Sequence, residues 1–395
     1  MALLENLVPA AKLDVAGRRV FVRADLDIPC SPHGAVLDDT RLRDVLPVLR
    51  MLSSAGAKVL LASHYGPPDA PNAKAPEGIA RRLGELLGAK LGVAPPRFAQ
   101  IAGPMKPGDI ALLPNLWLFH GERENDAGLA REWAEHIDVY VNEALRSSLD
   151  VRASTSALPR LMNARGMGAM TTDELSNLAP YIETPQRPFS AVIGGARLRE
   201  KAPLIEALLP HTDTLLLGGV VANTFLAAEG VALGQSVIEN DALDVARQIL
   251  ARARGRGVAV KLPLDFVVRA RDDASSAPKL ERKMVGELGR YDTVVDVALE
   301  TCVAYREDLA RSAMAVWNGV MGLCDHEDTS SGTIRIAQAA TAAGYSLAAG
   351  EGTTAAVAYF NLVAQFSHIS NSGPAGRELL CGTVFPGIEA LRMGV

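Results

Sequence analysis

The chain has 395 residues, of which 48% are hydrophobic and 22% charged, with a formal net charge of -5. That composition excludes a disordered or collagen-like protein and leaves no long-range attraction for nucleic acid or an anionic membrane. Aromatics make up only 5%, so the cores must come from Leu, Val, Ile and Ala, and the length predicts two or three domains.

The first residues, Met1 to Leu7, have no basic stretch, and Glu5 interrupts their apolar character, so no signal peptide is expected. Val20–Arg23 reads as a strand. Asp38-Asp39-Thr40 signals a helix start, and Leu42, Val45, Leu46, Leu49 and Leu52 follow at helical spacing. Val59–Ser63 is the next strand, and Ile79, Leu83, Leu86 and Leu87 line one face of a second helix. Ile110–Leu113 and Asp138–Val141 complete a first set of strands. Thr171–Ile182 then reads as a helix and Thr184–Pro188 as a break, which together suit a semi-rigid hinge.

A second set of strands is predicted at Ser190–Ile193, Thr214–Leu217, Val258–Lys261, Met314–Trp317, Ser346–Ala348 and Gln365–Ile369. Asp272–Pro278 reads as a surface excursion. The most apolar stretch, Leu215–Leu226, falls short of the roughly 20 residues a membrane-spanning helix needs. Cys30, Cys302, Cys324 and Cys381 are scattered without metal spacing, which predicts reduced thiols in a cytoplasmic protein. Alternating strands and helices call for parallel sheets covered on both faces: an α/β chain of two Rossmann-like lobes.

Ligands bind beyond the carboxyl ends of strands in such sheets. In the first lobe those positions hold Arg23, Asp25, Asp27, Ser63, His64, Gly66, Asn142 and Glu143. In the second they hold Gly194-Gly195-Ala196-Arg197, Gly218-Gly219, Asn318-Gly319, Gly350-Glu351-Gly352-Thr353 and Ser370–Gly373. Small residues entering a helix suit phosphate binding, because backbone N–H groups can approach an anion there. Charged side chains in one lobe and Gly-rich turns in the other suggest a transfer reaction between two ligands. No P-loop and no GxGxxG is present.

The motifs Val22-Arg-Ala-Asp-Leu-Asp-Ile-Pro29, Asp38-Asp-Thr-Arg-Leu42, Ser63-His-Tyr-Gly66, Val139-Tyr-Val-Asn142, Gly194-Gly-Ala196, Val316-Trp-Asn-Gly319 and Phe366-Ser-His-Ile-Ser370 resemble the phosphoglycerate kinase family along almost the whole chain. The resemblance implies an acceptor lobe over residues 1–168, a hinge over 169–188, a nucleotide lobe over 189–376, and a tail over 377–395 packing back towards the first lobe. It implies that hinge closure brings the lobes together, that ATP/ADP and Mg²⁺ are the cofactors, and that the protein is a monomer acting on a small carboxylate. By resemblance Arg41, Arg197 and Lys201 are catalytic. Arg23, Asp25, Asp27, His64, Trp117 and Asp150 bind the acceptor. Gly194, Gly195, Lys201, Gly218, Gly219, Asn318, Asp325, Gly350, Glu351, Gly352 and Thr353 bind the nucleotide, with Glu351 the metal ligand.

The departures from the family pattern fall on the chemistry. Three of its phosphate-holding arginines are Pro67, Trp117 and Asp150 here, and the asparagine of its DFNVP motif is Asp27. The GGAK lysine is Arg197, and the metal-linked aspartate aligns with Gly352. A like-charge contact near 4 Å costs about 4 kcal/mol at an effective dielectric of 20, or roughly a thousandfold in affinity. The sequence therefore predicts a phosphotransferase that makes an acyl phosphate on a carboxylate other than 3-phosphoglycerate, with Trp117 against an apolar substrate body. Arg43, Arg146 and Arg152, displaced from the motif positions, are expected on the solvated surface. An authentic glycolytic phosphoglycerate kinase and an inactive binding relative are the alternatives.

Overall fold

A computed structural model describes residues 3–70, 75–95, 100, 104–275, 277–324 and 326–393. Two compact units emerge: Met1–Ser176 with Val384–Val395, and Asn177–Thr383. The first junction falls inside the helix Ala169–Ile182.

The first unit is built on a parallel sheet of five strands: β1 (Arg19–Ala24), β2 (Lys58–Ala62), β3 (Ile110–Leu112), β4 (Val139–Glu143) and β5 (Arg165–Met167), in the order β3-β2-β1-β4-β5. Val20 lies opposite Val59 on one side and Val139 on the other. The central strands are apolar on both faces, as covered parallel strands must be. On one face Val20 and Val22 pack with Leu42, Val45 and Leu49 from the helix Thr40–Ser54. On the other, Phe21 stacks on Tyr140 and Trp133, with ring centroids 5.7 and 6.0 Å away. The Asp38 carboxylate accepts the Thr40 N–H at 2.9 Å and so opens that helix where the sequence indicates.

The last residues return to this unit. The short helix Pro386–Glu389 lies so close to Ser148 that a Cβ on Gly387 would come within 2.8 Å of it. Arg165 donates to the Leu391 carbonyl at 3.3 Å, and Arg392 to that of Leu3 at 3.3 Å.

The second unit carries a six-stranded parallel sheet: β6 (Phe189–Ile193), β7 (Thr214–Leu217), β8 (Ala259–Lys261), β12 (Met314–Asn318), β13 (Tyr345–Ala349) and β14 (His368–Ser370), in the order β14-β13-β12-β6-β7-β8. A small antiparallel sheet interrupts it, with β9 (Asp265–Ala270) between β10 (Lys279–Met284) and β11 (Thr293–Val297). Sequence reasoning missed this sheet. Its outer strand is largely exposed and reads Lys-Leu-Glu-Arg-Lys-Met, without clean apolar alternation, and the turn-rich stretch after Asp272 connects β9 to β10. Arg282 on β10 reaches the buried Asp265 carboxylate at 2.7 Å, and Lys283 the buried Asp292 at 2.8 Å. Among the described residues no helix is long and apolar enough to cross a membrane.

Candidate active site

At the carboxyl ends of β1, β2 and β4 the first unit gathers its polar side chains. Arg23, the penultimate residue of β1, is wholly buried. Its guanidinium donates to His64 Nδ1 at 2.6 Å, Ser147 Oγ at 3.0 Å, Ser154 Oγ at 3.3 Å and the Ala24 carbonyl, and lies 3.9 Å from Asp25. His64 follows β2, and its Nε2 is 2.8 Å from the buried carboxylate of Glu122. Glu122 also accepts from Ser154, N–H at 2.9 Å and hydroxyl at 2.6 Å.

A guanidinium can only donate. Nδ1 of His64 must therefore be the acceptor, and the proton sits on Nε2, directed at Glu122. The Trp117 indole stacks on the His64 ring at 3.8 Å and 16°, and its N–H donates to the Gly66 carbonyl at 2.9 Å.

Arg152 belongs to the same cluster. Its Nη1 lies 3.2 Å from His64 Nδ1, its Nη2 2.6 Å from Asp150, and its Cζ 4.7 Å from the Trp117 ring centre. The side chain is only 19% exposed. The solvated role expected for Arg152 is thus corrected: the cation has turned inward, onto the Trp117 ring. Arg43 does remain on the surface, paired with Asp39 at 2.8 Å. Arg146 contributes a backbone N–H, donated to Asp25 at 2.9 Å. Asp25 also accepts from the Ser147 hydroxyl. Asp27 accepts the Gly66 N–H at 2.9 Å, while its carbonyl takes the Arg41 guanidinium.

The seven residues of this unit that the resemblance gives roles, Arg23, Asp25, Asp27, Arg41, His64, Trp117 and Asp150, are thus linked into one cluster, but not all as substrate contacts. Arg23 is sealed inside, and both ring nitrogens of His64 are occupied, so these two organise the site. One face of Trp117 is taken by His64 and Arg152, which leaves that face closed to an apolar substrate body. Glu122 escaped sequence reasoning: it sits in a charged run, Gly-Glu-Arg-Glu-Asn-Asp, far along the chain from the histidine it holds.

Burial pushes the Glu122 carboxyl up to about 7, against the pull of its Ser154 bonds and of Arg23 and Arg152. Burial, and then the same two guanidiniums, hold the His64 imidazole well below its usual range. Unfolded, the pair titrates near 4.5 and 6.5. Between those values the native pair holds one proton, on Glu122, and the unfolded pair holds one, on His64. The counts are equal, so the pair adds no pH slope to stability there. Below about 4.5 the unfolded chain binds a second proton and stability falls.

His64→Gln should unmask the Glu122 contribution. A carboxyl raised in the folded state destabilises the fold as pH rises, so from about pH 5 to 6.5 the variant should lose about 2 kcal/mol relative to the parent. Urea midpoints at the two pH values test this, and parallel midpoints refute it.

In the second unit the Gly-rich turns after β6, β7, β12 and β13 interlock. Gly194 N–H donates to the Asn318 carbonyl at 3.0 Å, Gly195 N–H to that of Val320 at 2.8 Å, and Gly219 N–H to that of Met321 at 2.9 Å. Gly218 N–H donates to the Ile193 carbonyl at 3.0 Å. These amides serve the turns themselves, so the need for glycine is steric: a Cβ on Gly218 would lie 2.3 Å from the Met321 sulfur. The turns border a cavity of 360 Å³, lined by Gly195, Gly219, Val320, Met321, Leu323 and Gly352 among others.

Lys201 donates to the side-chain oxygen of the buried Asn318, whose amide in turn donates to the Ala349 carbonyl at 2.8 Å. The Thr353 hydroxyl accepts the Gly319 N–H at 2.7 Å. Burial, and then the nearby Arg377, lower the Lys201 pKa. Arg377, on the helix Pro374–Leu380, is a cation beside the site that sequence reasoning overlooked. Arg197 is exposed and paired with Glu200 at 2.6 Å. Gly350 and Glu351 open the helix Glu351–Tyr359. Asp325 lies outside the described residues.

Residues 10–383 match the family model described as phosphoglycerate kinase. A phosphoglycerate kinase of Nostoc punctiforme is 35% identical over 400 residues, covering 98% of each chain. One of Anaeromyxobacter sp. (strain K) is 36% identical over 96% of this chain and 97% of its own. Among solved structures, phosphoglycerate kinase from Coxiella burnetii superposes with a TM-score of 0.89 at 32% identity, and that from Pyrococcus horikoshii with 0.79 at 25%, each covering 98% of both chains.

Proposed function

Since this chain belongs to the phosphoglycerate kinase family, we propose that it transfers a phosphoryl group between ATP and a carboxylate, through an acyl phosphate. The first unit takes the acid and the second the nucleotide. The relatives' names favour 3-phosphoglycerate as the acid over the different carboxylate that the missing arginines suggested. The observation that carries the acceptor reading is the inward Arg152, which returns a guanidinium to a cluster that had lost three.

Phosphoryl transfer asks little covalent chemistry of a protein; positioning and charge do most of the work. Asp25 is held by the Arg146 and Ser147 amides and offers a fixed acceptor to a substrate hydroxyl. Arg41 is anchored through the Asp27 carbonyl, and its guanidinium stabilises the transferring group. Lys201, steadied by Asn318, meets the nucleotide phosphates, and Arg197 exchanges Glu200 for the moving phosphoryl group.

Among the described residues no group of three or more His, Cys, Asp or Glu could cage a metal. Mg²⁺ needs only one or two carboxylates beside the phosphates. Glu351, in the first turn of its helix, suits that donor set and would hold the ion. Bound there, Mg²⁺ supplies charge neutralisation at the phosphate oxygens.

A specific observation also keeps the other acceptor in view. Asp150 occupies one side of Arg152 at 2.6 Å and competes with any anion. ADP release on mixing the protein with MgATP, hydroxylamine and either 3-phosphoglycerate or a panel of unphosphorylated carboxylic acids decides between them. Turnover with 3-phosphoglycerate is the expected result. Turnover with the panel alone would move the acceptor to another acid, and none with either would overturn the transferase reading.

A further inference from the structure

We propose that Arg152 grips the terminal oxyanion of the acceptor, the phosphate or carboxylate remote from the reacting carboxyl, and that Glu122 positions it through His64. This rests on the reading that the first unit holds the acceptor. Two guanidiniums share the Nδ1 atom of His64, and their surroundings differ. Arg23 is wholly buried and spread over four acceptors, so it has nothing to offer a ligand. Arg152 keeps 19% of its side chain exposed, with one bond to His64 and one to Asp150. A guanidinium has five N–H groups. The other N–H groups of Arg152 have no partner among the described residues.

The surroundings also fix where this cation points. His64 stacks on Trp117 at 3.8 Å, and Arg152 lies 4.7 Å from the same ring. A 3.2 Å bond joins them. So short a bond cannot span an indole approached from both faces, so the two lie side by side on one face. Trp117 is the platform, His64 the stop, and Asp150 the counter-charge that a ligand displaces. A planar guanidinium can lie on an aromatic face and still direct N–H groups sideways at an anion, which a lysine ammonium cannot do.

Glu122 acts at one remove. It takes the Nε2 proton of His64 at 2.8 Å and so leaves Nδ1 bare for Arg152. It is a positioning residue, because Arg152 and not Glu122 meets the ligand.

The test is calorimetric titration of the full chain with 3-phosphoglycerate, and separately with MgADP. Arg152→Gln should weaken 3-phosphoglycerate by about 10- to 100-fold, the range for a lost charge-assisted pair, and leave MgADP unchanged. Arg152→Lys should recover little. Asp150→Asn should tighten 3-phosphoglycerate about tenfold by removing the competitor. Glu122→Gln, whose amide oxygen still accepts the Nε2 proton, should bind 3-phosphoglycerate nearly as the parent does, whereas Glu122→Leu should weaken it and shift the ¹⁵N resonance of His64 Nε2, a pairing that a merely structural role would not produce. If the parent binds 3-phosphoglycerate and Arg152→Gln binds it equally well, the proposal is overturned while the acceptor reading stands.

If the parent does not bind 3-phosphoglycerate, that acceptor is wrong. Arg152 is then judged by inorganic phosphate at millimolar concentration. A shift of its Nε–H resonance supports the proposal, and an unmoved resonance overturns it.

Discussion

Replacing Arg23 with methionine is expected to lower the unfolding free energy of the first unit by about 3–5 kcal/mol, the range for breaking a buried charge network from one side. The magnitude follows from what remains. Methionine fills the space of the stem but donates nothing, so the Ser147 and Ser154 hydroxyls and the Ala24 carbonyl lose a partner at once. The two hydroxyls still donate to Asp25 and Glu122, so each loses one bond of its set, worth about 1.5–3 kcal/mol for a bond to a charged group. Asp25, 3.9 Å away, and Glu122, beyond His64, lose a neutralising charge. Lysine would keep the charge but bring three donors to one point, so it should recover only part of the loss. Chemical denaturation followed by Trp117 and Trp133 fluorescence, in a Trp317→Phe background that silences the second unit, reports on this unit, and a loss below about 1 kcal/mol would show that the guanidinium is dispensable.

The second large effect belongs to Gly319. Its φ is +107°, a region that L side chains avoid. A Cβ there would stand 2.2 Å from the Gly194 carbonyl oxygen and 2.9 Å from the Gly195 nitrogen, both backbone atoms with nowhere to go. Gly319→Ala should therefore cost about 1–3 kcal/mol in strained dihedrals and a similar amount in displaced backbone. It should also abolish MgATP binding, because the turns after β6 and β12 can no longer meet. Gly352→Ala is the control. It lies in a helix and, among the described residues, nothing comes within 4 Å of the added methyl, so alanine should stabilise that helix by up to about 1 kcal/mol. Melting temperatures of the two variants with and without MgATP check both statements. A Gly319→Ala protein that still gains stability from MgATP would contradict the steric argument.

The parallel sheets were legible because their strands are continuous apolar runs set between amphipathic helices. The clustering of polar residues at strand ends was legible because it follows directly from where the apolar runs stop. The roles proposed for those residues come from the family motifs. What stayed hidden depends on side-chain direction. Arg152 stands two residues from Asp150 in a stretch that reads as solvent-facing, and nothing local says that it folds back onto an indole 35 positions away in sequence. Glu122 meets His64 across a separation of 58 residues. Charge counting on aligned positions therefore recorded the cations that were gone and left on the surface the one that had moved in.

The glycines teach a related lesson. Their clustering after strands correctly marked the turns of the second unit, but the reason differs from a free phosphate nest. The Gly194, Gly195, Gly218 and Gly219 amides are engaged inside the protein, and what the small residues permit is the approach of one turn to another.

The first unit is assembled from both ends of the chain, with Gly387 against Ser148 and Arg392 reaching Leu3, whereas the second is one uninterrupted stretch. A chain cut just before Val384 keeps every residue of the second unit and none of the segment that packs on Ser148, so such a truncation damages the unit translated first and spares the one translated after it.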